Sequence, residues 1–190
     1  MRLFAFASIS HVGFILVGMT QVSVGSISNI IFYLFMYILL VLTFFCILLN
    51  LRVSKGHSVF YIATLTDLCN VWKFDKVLSI CLALNVLSMA GLPPLGGFFM
   101  KFGIFLNCIL QHNYILFLFL LFFSIINMVF YIRLIRFIFF EAENRKDIKF
   151  IKYEKGPGFV YFLIIILTLL NVLCCFYYPF LFGFLNLVLS

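Results

Sequence analysis

The sequence predicts an all-α integral membrane protein of about six transmembrane helices, and three observations carry that prediction. Of its 190 residues, 66% are apolar, 20% aromatic and only 10% charged, whereas soluble domains are roughly half apolar and about a quarter charged. The apolar residues fall into six stretches near the length that crosses a bilayer core, about 20 residues for about 30 Å. A cluster of Gly and Pro lies deep within the apolar sequence, where helix geometry must be interrupted. The net charge of +7 is scattered among apolar runs and forms no nucleic-acid face.

The stretches, in order, are helix A (Leu3 to Thr20), B (Asn29 to Leu51), C (Val77 to Leu92), D (Pro94 to Gln111), E (Tyr114 to Phe140) and F (Phe159 to Tyr178). Pro93 and Pro94, with Gly91, Gly96 and Gly97, form the breaker cluster between C and D. After Pro179 the apolar tail Phe180 to Ser190 is too short for another crossing and is expected at the interface or against a partner. Met1 and Arg2 run straight into helix A, so no cleavable targeting segment is read. Val59 to Leu68, followed by Trp72, reads equally as an interfacial helix or a solvated loop.

Basic residues set orientation, because Lys and Arg accumulate on the side from which insertion occurs. The end of E and the E to F loop carry Arg133, Arg136, Arg145, Lys146, Lys149, Lys152 and Lys155, and the B to C loop carries Arg52, Lys55, Lys73 and Lys76. With six spans these loops fall on opposite sides. The E to F loop is expected on the matrix or cytoplasmic side, and both ends of the chain on the other.

One fully ionisable group lies in a helix interior. Lys101, in GGFFMKFGIF, is seven residues beyond Pro94, about 10 Å into the bilayer at about 1.5 Å per residue. A charged Lys at that depth costs roughly 2.5 to 3.5 kcal/mol, so such residues usually face a bundle interior or a water path. Low dielectric disfavours a charged amine and brings its neutral form within reach. The alternative is a snorkelling anchor, against which its depth and the neighbouring Gly96, Gly97 and Gly103 argue. Lys101 is therefore the first candidate for holding and passing a proton.

His11, between Ser8 and Ser10, is the second, as a relay or equally as an interhelical hydrogen bonder. Arg133 and Arg136, three apart on one helix face, read as basic side chains reaching lipid phosphates, cardiolipin among the candidate lipids. Asn85, Asn107, Asn127 and Asn171 read as interhelical glue, and His57 and His112 as solvated. The cysteines Cys46, Cys69, Cys81, Cys108, Cys174 and Cys175 have no paired or ligand-like spacing and read as small hydrophobes. No motif for a metal, haem, iron–sulfur cluster or nucleotide is present, so no cofactor or metal is expected on this chain. Twenty-eight Phe against six Ala suggests an AT-rich, organelle-encoded source.

Three runs carry a resemblance. FAFASISHVGFILVG resembles the AYSSISHMG signature of the antiporter-like membrane subunits of proton-pumping NADH:quinone oxidoreductase, respiratory complex I, which are relatives of the multisubunit cation/proton antiporters. LSMAGLPPLGGFFMKFGIF resembles their SLAGLPPLxGFxxKF signature, and NMVFYIRLIRFIFF the helix that follows. The lysine after GLPP and GGF is most like that of subunit 2.

The resemblance implies two inverted five-helix repeats, each with a discontinuous helix and a buried ionisable residue. Residues 1–140 would be the second repeat, 141–158 a charged loop, and 159–190 a final helix and tail. Lys101 and His11 would belong to a hydrophilic axis along the membrane midplane. The implied activity is proton translocation coupled to NADH:ubiquinone oxidoreduction in the mitochondrial inner membrane. NADH, FMN, iron–sulfur clusters and ubiquinone would be held by other subunits. Other complex I membrane subunits are the expected partners, together with a separate chain supplying the N-terminal helices that precede the first signature. A cation/proton antiporter subunit and a purely structural membrane subunit are the alternatives.

Overall fold

Seven helices and three short strands follow one another in a computed structural model that describes residues 2–21, 24–55, 58–61, 68, 71–139, 152–155 and 157–189, with side chains for 7–21, 25–51, 68, 71–139 and 157–174. The helices are α1 (Arg2–Met19), α2 (Val24–Asn50), α3 (Val71–Phe74), α4 (Lys76–Ala90), α5 (Gly96–Leu110), α6 (Tyr114–Phe139) and α7 (Gly158–Leu189). The strands are β1 (Leu51–Lys55), β2 (Ser58–Tyr61) and β3 (Lys152–Lys155).

Asp75 starts α4: its carboxylate accepts from the amides of Val77 and Leu78 at 3.2 and 3.4 Å, satisfying donors that the first turn leaves free. Gly91 ends it at φ 87°, a left-handed conformation that L side chains avoid. Its amide donates to the Ser88 carbonyl at 2.9 Å and that of Leu92 to the Leu87 carbonyl at 3.3 Å, the paired bonds of a Schellman stop. The chain then turns through Leu92 to Leu95, with a cis bond between Pro93 and Pro94, and re-enters helix at Gly96.

Helix α2 is the hub, its buried Met36, Leu40, Phe44 and Ile47 packing with Leu82 and Val86 of α4 and Met100 and Ile104 of α5 in one core. The outer faces are apolar too. On α6, Ile115, Leu118 and Phe122 are between 62 and 74% exposed, a surface that water would not tolerate at this extent and that lipid would.

Side-to-side contacts fix which helix ends lie together. Trp72 of α3, just before α4, lies 5.1 Å from the ring of Phe139 at the end of α6. Tyr161, at the start of α7, reaches Asp75 at 3.5 Å. β1, which follows α2 directly, pairs antiparallel with β2 and with β3, Arg52 lying opposite Tyr61 and Glu154. The end of α2, the start of α4, the end of α6 and the start of α7 therefore share one end of the bundle. At the other end, the α1–α2 turn meets α5: Gln21 donates to the Cys108 thiol at 2.6 Å and Asn107 to the Gly25 carbonyl at 3.5 Å.

This arrangement corrects the sequence reading in four places. Stretches C and D are not two opposed spans; α4 and α5 run in series as halves of one interrupted helix, and together they match the single return of α6. The described parts of the B to C and E to F loops consequently meet at the same end, where β1, β2 and β3 add a small three-stranded sheet to the helical fold. The segment from Val59 to Leu68, read equally as an interfacial helix or a solvated loop, begins within β2 at Ser58–Tyr61, while residues 62–67 lie outside the described residues. The tail after Pro179 continues α7 as helix to Leu189, so the start of α1 and the end of α7 lie at opposite ends.

Candidate functional site

The interruption leaves α4 with carbonyls that its own stop motif does not use, those of Met89 and Ala90. Lys101, one turn and a half into α5, supplies the partner: its Nζ donates to the Met89 carbonyl at 3.1 Å and to the Ala90 carbonyl at 2.9 Å. The residue is 4% exposed; the side chain points inward and does not extend to a surface. Two 15-residue half-helices meet here, so about 20 Å of helix lies on each side of the amine.

Three magnitudes decide whether a charge is tolerable at this point. Burying the lysine costs roughly 2.5 to 3.5 kcal/mol. Hydrogen bonds from a charged donor return about 1.5 to 3 kcal/mol each, and the negative end of the α4 dipole adds up to about 2 kcal/mol in buried geometry. The cation is accommodated. An ammonium has three N–H groups and a neutral amine retains two, so either form can keep both carbonyl bonds. The Phe14 ring centroid stands 5.8 Å from Nζ, within cation–π range.

Close packing of glycine makes this geometry possible. A Cβ on Gly91 would lie 3.0 Å from Lys101 Cδ and 3.1 Å from Nζ, so the lysine stem lies directly over the bare backbone. A Cβ on Gly97 would run into the Ser88 carbonyl, and one on Gly103 would meet Asn29 Oδ1 at 2.6 Å. Asn29 donates to the Gly103 carbonyl at 3.0 Å, tying α2 to α5 two residues beyond the lysine.

His11 of α1 is 3% exposed and bridges two other helices. Its Nδ1 is 2.8 Å from the Tyr33 hydroxyl on α2, and its Nε2 is 3.3 Å from the Tyr131 hydroxyl on α6. A neutral imidazole can donate to one hydroxyl while accepting from the other, which is the geometry either of a relay or of a three-helix hydrogen-bonded tie. Phe14 stands next to both groups, stacked on Tyr33 at 6.2 Å. The hydrogen bonds of Lys101 and those of His11 share no partner.

Arg133 and Arg136 are both exposed, toward the end of α6 at which Phe139 meets Trp72. Asn85 donates to the Leu40 carbonyl at 3.2 Å, and Asn171 accepts from Ser88 at 2.8 Å, both across helices, while Asn127 is half-buried on α6. His112 is exposed, at φ 59° in the α5–α6 turn; His57 lies outside the described residues. Cys46, Cys81, Cys108 and Cys174 are free thiols. Among the described residues, no group of three or more His, Cys, Asp or Glu could hold a metal ion. The sequence reading missed Tyr33, Tyr131 and Ser88, whose only advance signal was a polar group in an otherwise apolar helix.

Residues 1–127 match the family model described as NADH:quinone oxidoreductase/Mrp antiporter, transmembrane. NADH-quinone oxidoreductase subunit N of Pelagibacter ubique is 37% identical over 143 residues, which are 75% of this chain and 30% of the relative. NADH-ubiquinone oxidoreductase chain 2 of Marchantia polymorpha is 34% identical over 141 residues, 74% of this chain and 28% of the relative. The chain thus spans about 30% of the length of these curated relatives. A chain of the solved respiratory complex I from Thermus thermophilus with bound Aureothin superposes over 96% of this chain and 39% of its own length, with a TM-score of 0.74 at 20% identity, so the fold is shared. The matching model and these relatives show that the chain belongs to the NADH:quinone oxidoreductase/Mrp antiporter family of membrane subunits.

Proposed function

We propose that this chain takes part in proton translocation as part of a membrane-arm subunit of respiratory complex I, with Lys101 as the proton carrier. The single observation that carries the proposal is the buried Lys101 amine at the C-terminus of half-helix α4, held by two carbonyls that suit its charged and neutral forms alike. Electrostatic changes produced by quinone reduction in other subunits would bias the amine between those forms. A charge moved against 100 mV costs about 2.3 kcal/mol and one pKa unit is worth about 1.36 kcal/mol, so a swing of roughly two units is sufficient. His11, with Tyr33 and Tyr131, would relay protons laterally between α2, α1 and α6.

With α4 and α5 counted as one interrupted span, the bundle makes five crossings. Among the described residues, every Lys and Arg except Lys101 then belongs to a segment that starts or finishes at the sheet end, a bias that favours placing this end on the matrix side. Arg133 and Arg136 would meet lipid phosphates there, cardiolipin being a suitable ligand. The mitochondrial inner membrane is the proposed location, in line with the relative from Marchantia polymorpha. The exposed apolar faces of α1 and α2, such as Ile9, Leu16, Phe35 and Ile38, offer packing surface for the remainder of the subunit and its neighbours. NADH, FMN, iron–sulfur clusters and ubiquinone would be bound by other subunits.

The family description also names the Mrp antiporters, so a cation/proton antiporter subunit is the second reading. Native gel separation of mildly solubilised membranes, with mass spectrometry of the band holding this chain, separates the two. Co-migration with flavin and iron–sulfur proteins and NADH dehydrogenase activity is expected. A band of antiporter subunits without either would replace the complex I reading with the second.

A further inference from the structure

The broken helix is tied to α7 by polar contacts that the proton-carrying chemistry does not itself use. Ser88 precedes Met89, the first carbonyl acceptor of Lys101. Its buried hydroxyl accepts from the Gly97 amide at 2.9 Å and donates to Asn171 Oδ1 on α7 at 2.8 Å. One side chain therefore joins the last turn of α4, the first turn of α5 and the middle of α7. Asn171 is 1% exposed, and its Nδ2 has no hydrogen-bond partner, so its bond to the break rests on that one oxygen. A Cβ on Gly96 would lie 3.0 Å from Asn171 Oδ1 and 3.1 Å from the Asn171 carbonyl, which places the start of α5 directly on α7.

Apolar residues of the same volume would pack this joint without needing any partner. A serine and an asparagine there must instead find each other, because a buried polar group left unpaired is costly. The pair thus fixes one alignment of the two half-helices. That alignment sets where Lys101, five residues after Gly96, meets the carbonyls one and two residues after Ser88. We propose that Ser88 and Asn171 are positioning residues through which α7 sets the alignment of the α4 carbonyls on the Lys101 amine. A shift of α7 would then alter how firmly the amine holds its proton. This inference rests on the carrier role proposed for Lys101.

The test uses the assembled complex in proteoliposomes and reads the rate of proton translocation divided by the amount of assembled complex, a ratio that does not depend on how much complex assembles. Asn171→Leu and Ser88→Ala are each expected to lower the ratio by roughly two- to five-fold, the scale of one buried hydrogen bond. The double variant should be no worse than either single one, since the two act as a unit. Ser88→Thr, which retains the hydroxyl, should keep the wild-type ratio. Thr168→Val, one turn earlier on α7 and lying 3.6 Å from the Cys81 thiol on α4, is the packing control and should keep it too. If Asn171→Leu does not assemble, Ser88→Ala with its Thr rescue decides alone. A wild-type ratio in Ser88→Ala, while Lys101→Met lowers it, overturns the positioning role only. A wild-type ratio in Lys101→Met overturns the carrier role itself.

Discussion

Lys101→Met is expected to leave the complex assembled while proton transfer through this subunit falls by roughly 100-fold or more, the usual contribution of a positioned acid–base group. Methionine matches the lysine stem in length and packs beside Phe14 without needing a partner. The substitution frees the Met89 and Ala90 carbonyls, at about 1 to 3 kcal/mol each. It also removes the roughly 2.5 to 3.5 kcal/mol cost of a buried charge. The two effects nearly offset, so assembly survives while the proton carrier is lost. Coupled quinone reductase activity should fall with pumping, measured as acidification of proteoliposomes alongside NADH oxidation. Full pumping by an intact Lys101→Met complex would exclude the role and leave Lys101 as a helix cap only.

Gly97→Ala should be the most damaging added methyl group among the described glycines. Its Cβ would fall on the backbone carbonyl of Ser88, and neither backbone can move without separating α4 from α5. Overpacking a well-filled interior costs about 1 to 3 kcal/mol even where side chains can adjust, and here none can. The bond from the Gly97 amide to Ser88 would be lost as well. Gly13→Ala is the internal control, because a Cβ there meets nothing within 4 Å, and replacing a helical glycine gains about 1 kcal/mol. Thermal unfolding of the complex and the amount assembled should separate the two clearly. Equal behaviour would mean that the half-helices do not approach as closely as described.

Much of the site was legible in the sequence because it is local. Gly91, Pro93 and Pro94 announce a break through their backbone restrictions alone, and a lysine among phenylalanines is conspicuous at any depth. What the chain does after the break was not legible. Each half-helix is an apolar segment close to the length of a span, and composition does not say whether the second half continues forward or turns back. Reading it as turning back moved the B to C and E to F loops to opposite sides. The contact of Trp72 with Phe139 and the pairing of β1 with β3 bring them together. The sheet was missed for a related reason: β1 finds its partner β3 about a hundred residues away, inside a charged loop with no strand pattern of its own. Tyr33, Tyr131 and Ser88 owe their significance entirely to packing, because each meets its partner from another helix.

The central claim is that an amine buried at the end of a half-helix carries an exchangeable proton, and a high-resolution density map of the native complex in lipid tests it most directly. The map should place Lys101 Nζ within hydrogen-bond distance of the Met89 and Ala90 carbonyls, with an ordered water or another polar group on its remaining side to take the third proton. Nζ extended toward lipid headgroups, or sealed on that side by apolar atoms alone, would contradict the account.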